Sequence, residues 1–118
     1  MSVTGIGGVF FRASDTEALS RWYREHLGVG MDGFRPWEQA AGPTVFMPFA
    51  RETDYWPAGK QWMINFRVSD LDGLTARLAQ AGIAVETNPD WDSLEVGRFA
   101  RIHDPEGNPV ELWEPAAA

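Results

Sequence analysis

The chain has 118 residues, with 17 acidic against 10 basic side chains, a formal charge of −7, six tryptophans and no cysteine. That length suits one domain, 1–118, burying roughly two-thirds of its unfolded surface around one core. Missing cysteine excludes disulfides and thiolate metal sites, the acidic balance argues against nucleic acid, and no apolar run approaches the roughly 20 residues of a membrane span.

In chain order, Gly5–Ala13 is the first expected strand, with Val9 and Phe11 on one face and glycines at 5, 7 and 8. Glycine inside a strand weakens it and often marks a close approach to the backbone. A helix is expected from Thr16 to Leu27, since Ala18, Leu19, Trp22, Tyr23 and Leu27 recur at helical spacing. Ser14 and Glu17 have the spacing of an N-cap and its N3 partner, and Gly28 stands where a left-handed residue ends a helix. Trp37–Ala41 and Thr44–Pro48 read as short strands around a Gly42-Pro43 turn. Residues 50–60 read as a linker, whose Tyr55 and Trp56 are placed to cover a cavity mouth.

The pattern then repeats. Phe11-Arg12-Ala13-Ser14-Asp15 returns as Phe66-Arg67-Val68-Ser69-Asp70, followed again by a helical pattern (Leu71, Leu74, Leu78, Ala81) and a glycine, Gly82. Ser69 and Asp72 repeat the capping spacing. Self-similarity at half the chain length points to a duplicated unit, with one cavity between the copies. Strands are expected at 61–68, 83–86, 98–103 and 109–114, with 91–96 as loop and short strand. Asp104-Pro105-Glu106-Gly107-Asn108 is a tight turn. The reading is α+β, with module one at about 5–49, a linker at about 50–60 and module two at about 61–115.

The run Gly97-Arg98-Phe99-Ala100 through Asp104-Pro105-Glu106-Gly107-Asn108-Pro109-Val110-Glu111-Leu112-Trp113 resembles the C-terminal signature of vicinal-oxygen-chelate proteins. These are the glyoxalase, bleomycin-resistance and extradiol-dioxygenase relatives. Trp22-Tyr23 through Leu27-Gly28 is similar to that superfamily's first helix. The resemblance implies two β-α-β-β-β modules curling into an open, U-shaped, eight-stranded barrel around a ligand cavity. It also implies metal-ligand positions, which fall on Gly8, Met63 and Glu111. Glycine offers no ligand and a thioether suits hard or borderline ions poorly, so no metal site and no cofactor is expected. His26, in the last turn of the first helix, and His103, beside a turn, do not replace the missing ligands.

Strand alternation places Gly8, Phe10, Arg12, Met63, Asn65, Arg67, Glu111 and Trp113 toward the cavity, with Val110 and Leu112 facing the helices. Trp37, Trp56 and Trp91 are candidates for its aromatic lining. Arg12 and Arg67 have an alternative as surface ion-pair residues, and the tryptophans as core or interface filler. Glu111 has an alternative as a carboxylate simply held by Asn65 or a backbone amide.

Two functions fit. One is a metal-independent binding protein holding a small organic molecule, cationic or flat, in an aromatic, acidic cavity, as a cytoplasmic homodimer. The other is an enzyme of the superfamily (lyase, isomerase or dioxygenase) with an atypical divalent-metal site or with Glu111 as general base.

Overall fold

The structure, a computed structural model, describes residues 2–117. Helix α1 spans Thr16–Leu27 and helix α2 spans Leu71–Gln80. The strands are β1 (Ile64–Arg67), β2 (Gly97–His103) and β3 (Pro109–Pro115). They form one sheet in the order β1-β3-β2, with β1 parallel and β2 antiparallel to β3. A single turn of 3-10 helix, Pro89–Trp91, precedes β2.

Both helices begin where expected, but the capping residue is the aspartate that follows each serine, not the serine itself. Asp15 caps α1, its carboxylate accepting from the Ala18 amide at 3.0 Å, and Asp70 caps α2 through the Gly73 amide at 3.1 Å. A carboxylate accepts more strongly than a hydroxyl at the positive end of a helix, so aspartate takes the cap. Module two also reaches across to hold the first helix. Glu106 accepts from the Ser14 and Asp15 amides at 2.6 and 3.0 Å. Glu114 does the same for the Leu71 amide at 3.0 Å. Gly28 ends α1 at φ 66°, and its amide bonds back to the Arg24 carbonyl, a conformation that strains any residue with a Cβ.

One face of the sheet carries Ala100, Ile102, Val110 and Leu112, all fully buried. Leu19 and Tyr23 of α1 and Leu71, Leu74 and Leu78 of α2 pack on that face as one core. Each such aliphatic side chain contributes about 1.5–3 kcal/mol by leaving water. Tyr23 carries the one buried hydroxyl of that layer and donates to Asp104 at 2.7 Å. Burial, reinforced by that hydrogen bond, pushes the Tyr23 phenol well above its ordinary range. Asp104 also accepts from the Glu106 and Asn108 amides and the Asn108 side chain, so the Asp-Pro-Glu-Gly-Asn turn is built around it.

The first half differs from its expectation. Residues 5–13, 37–41 and 44–48 form no strand, and the isolated bridge between Asp32 and Arg35 is the pairing there among the described residues. Alternation supplies a strand with two faces but not with a partner edge, and three glycines weaken this one further. Phe10 is 94% exposed, and Val3, Ile6, Val9, Phe34, Val45 and Phe46 are exposed as well. The expected strand at 83–86 reduces to one bridge, Glu86 with Arg101, and the 91–96 stretch to the bridge Ser93–Gly97. Among the described residues three of the eight expected strands are formed, and the total exposed surface is 9076 Å². A compact monomer of 13.2 kDa exposes about 6,400 Å².

Candidate functional site

The second face of the sheet carries the chemistry. Side chains alternate along a strand, so burying Ala100, Ile102, Val110 and Leu112 on one side sends Phe99, Arg101, Glu111 and Trp113 to the other. Register then aligns them. Asn65 of β1 lies opposite Glu111 of β3, and Glu111 lies opposite Arg101 of β2. Glu86 extends this row beyond Arg101 through its bridge. Trp113 stacks against Phe99 with ring centroids 6.2 Å apart, and its indole N–H donates to the Val96 carbonyl at 2.9 Å.

Glu111 is 7% exposed and both its oxygens are engaged. Oε1 accepts from Asn65 Nδ2 at 2.7 Å, and Oε2 accepts from the Tyr55 hydroxyl. Burial, and then the bond to Glu111, pushes the Tyr55 phenol up to about 12. Its proton therefore stays on the hydroxyl throughout the neutral range, and Tyr55 acts as a donor.

Aromatic rings roof this row. Tyr55 stacks on Phe49 at 5.7 Å, and Trp56 meets Phe49 edge-on at 5.0 Å. Trp91 meets Tyr55 edge-on at 6.1 Å. Arg101 lies beneath, its guanidinium carbon 4.7 Å from the centre of the Tyr55 ring and 5.4 Å from that of Trp91. Trp56 is anchored by its indole N–H to the Lys60 carbonyl at 3.0 Å, which fixes the segment 55–60. The arrangement is a polar row with both signs of charge, enclosed by ring faces.

The residues expected from sequence divide. Asn65, Glu111 and Trp113 share the face away from the helices, with Trp56 and Trp91 among the rings beside it. Met63 is half-buried, immediately before β1. Arg67 turns aside: its guanidinium donates to the Ala40 carbonyl at 2.8 Å and passes so close to Gly42 that a Cβ there would collide with it. Trp37 meets Phe66, a core-side residue, and not the polar row. Phe10 and Arg12 are exposed on the strandless first segment, whereas their neighbour Phe11 packs edge-on against Tyr23 and Trp62.

Arg101 was absent from the expected site, and Tyr55 was expected as cover for the cavity mouth but not as a partner of Glu111. Arg101 was legible: Ala100 and Ile102 are the apolar partners in that strand, and the five-residue turn sets Arg101 opposite Glu111. Tyr55 sits 56 residues from Glu111 on an irregular segment, and no local pattern links them.

The family's metal positions do not fit an ion here. Gly8 has no side chain, Met63 brings a thioether, and both oxygens of Glu111 already accept hydrogen bonds. Among the described residues no group of three His, Cys, Asp or Glu side chains is gathered for a metal. His26 packs against Trp22 in α1, and His103 is exposed at the end of β2.

Residues 8–113 match the family described as the glyoxalase-like domain. Among solved structures the chain is similar to TnmS3, described as an antibiotic binding protein from Streptomyces sp. CB03234. The TM-score is 0.62 at 24% identity, covering 98% of this chain and 99% of that one, which shows a shared fold. No curated protein matches this chain.

Proposed function

The chain belongs to the glyoxalase-like domain family, and from that premise we propose that it binds a small organic molecule and releases it unchanged, without a resident metal. The observation that carries this reading is the polar row Asn65–Glu111–Arg101 beneath Tyr55, Trp56 and Trp91. It offers ring faces for stacking and fixed donors and acceptors for orientation. Among the described residues of the row, the buried carboxylate, Glu111, has both oxygens already accepting hydrogen bonds. The antibiotic binding recorded for TnmS3 agrees with this class of ligand.

Homodimerisation belongs to the same proposal. The exposed surface exceeds that of a compact monomer by roughly 2,700 Å², and exposed apolar side chains among residues 3–49 contribute to it. That excess is of the size an obligate partner buries. We propose that a second copy covers it, gives the first-half strands an edge to pair with, and completes the eight-stranded, U-shaped barrel. A cytoplasmic location is part of this reading; no helix among the described residues is long and apolar enough to cross a membrane.

The test is tryptophan quenching against a panel of flat aromatic compounds, before and after treatment with a chelator, with each compound recovered and weighed by mass spectrometry. Saturable binding that ignores the chelator, with unchanged compound, is expected. Steady conversion of a compound, or binding that returns only with added divalent metal, would favour the enzyme reading.

A further inference from the structure

We propose that Arg101 receives an acidic group of the bound molecule, so that the crevice selects planar aromatic carboxylates over neutral or cationic analogues. This rests on the binding reading above and names the class of ligand within it.

Arg101 is 6% exposed in the middle of β2. Its Nε and Nη2 atoms are buried and have no hydrogen-bond partner. Those two nitrogens form one edge of the guanidinium fork, with N–H bonds pointing the same way. That edge grips a carboxylate through two parallel, charge-assisted hydrogen bonds. A buried cationic donor pair without an acceptor is strongly unfavourable, and proteins rarely leave one unless something supplies the acceptor.

The carboxylates on the two flanking strand positions form no ion pair with Arg101. Glu111 is the direct cross-strand partner of Arg101, yet no ion pair joins them, because Asn65 and Tyr55 hold the carboxylate. Glu86, on the other side of Arg101, is exposed and likewise forms no ion pair with it. The guanidinium carbon lies over the Tyr55 and Trp91 rings, and the Nε–Nη2 edge is buried beside them. A flat acid would set its ring system among these aromatic faces and its carboxylate on the Nε–Nη2 edge. A cationic compound would meet Arg101 instead of an acceptor.

The test compares three compounds with one ring system: 2-naphthoate, 2-naphthamide and 2-naphthylmethylammonium, by titration calorimetry against the intact protein. Binding of 2-naphthoate at least about tenfold tighter than 2-naphthamide is expected. Arg101→Met should erase that preference, and Arg101→Lys should keep only part of it. In the wild-type protein the Arg101 Nε–H resonance should shift with 2-naphthoate and not with 2-naphthamide, which decides the matter even where the variant fails to fold. Equal affinity for acid and amide would overturn the role of Arg101 and leave the binding reading standing. A preference that persists in a folded Arg101→Met protein would overturn it too. No binding of any of the three compounds would sink both.

Discussion

The two copies of the Phe-Arg-x-Ser-Asp motif start from nearly the same residues and end in different states. The second copy is a paired strand, Ile64–Arg67, lying along β3 and feeding a capped helix. The first copy feeds an equally well-capped helix, but its strand is unpaired and its alternate apolar residues are exposed. Helices need only local bonds, so both copies form them. A strand needs an edge, and within the chain only the second copy has one, supplied by Pro109–Pro115. The motif therefore encodes half a structure, and the partner edge decides the rest.

The sharpest way to break this comparison is to strike its stronger side. Leu112 is fully buried between sheet and helices, and Leu112→Ala is expected to lower stability by about 2–5 kcal/mol in urea unfolding. A loss below 1 kcal/mol would mean that the second half is not the stable core.

The weaker side is tested by Phe10→Asp combined with Phe46→Asp, both nearly fully exposed in the single chain. If a second copy covers them, light scattering should show wild-type dimers and variant monomers, with helical circular dichroism retained. An unchanged mass for the variant would place the interface elsewhere.

Much of the second half was legible because its signals are local. The helix limits, the Gly28 cap and the strands around the Asp-Pro-Glu-Gly-Asn turn follow from spacing, caps and turn residues. Val110 and Leu112 lie with the helices and Glu111 with Asn65, as alternation required. The first-half strands are not formed in the single chain, because alternation says nothing about pairing. The bond between Tyr55 and Glu111 was out of reach for a related reason: it joins an irregular segment to a distant strand. Arg101 lay within reach, but only by counting register across the turn.

Tyrosine ionisation offers a smaller and cleaner contrast with unfolded chain. The sequence has two tyrosines, and burial raises both phenols, Tyr55 to about 12 and Tyr23 further. Unfolded tyrosine loses its proton near pH 10 while the folded residues keep theirs. Stability is thus full below about pH 10 and falls as pH rises toward 12, the unfolded state releasing protons first. Absorbance at 295 nm should stay flat to about pH 11 and rise only with unfolding; a smooth titration centred near pH 10 in folded protein would contradict this. Tyr23→Phe should cost about 1 kcal/mol through the lost buried hydrogen bond, since the Asn108 side chain still donates to the same Asp104 oxygen.

Smaller still is Glu106→Gln, which weakens the hold of module two on the first turn of α1 and should cost about 1 kcal/mol in thermal unfolding. At the bottom of the scale, Arg98→Ala removes a solvent-exposed pair with Asp72 and should leave the melting temperature unmoved.

The most direct measurement of the proposed crevice is the set of six tryptophan indole N–H resonances, followed while 2-naphthoate is added. Trp56 and Trp91 border the polar row, whereas Trp22 lies on α1 beside His26, on the core side of the sheet. Shifts concentrated at Trp56 and Trp91, with Trp22 unmoved, are the predicted result. Shifts confined to Trp22 or Trp37, or none at saturating compound, would contradict the crevice as the binding site.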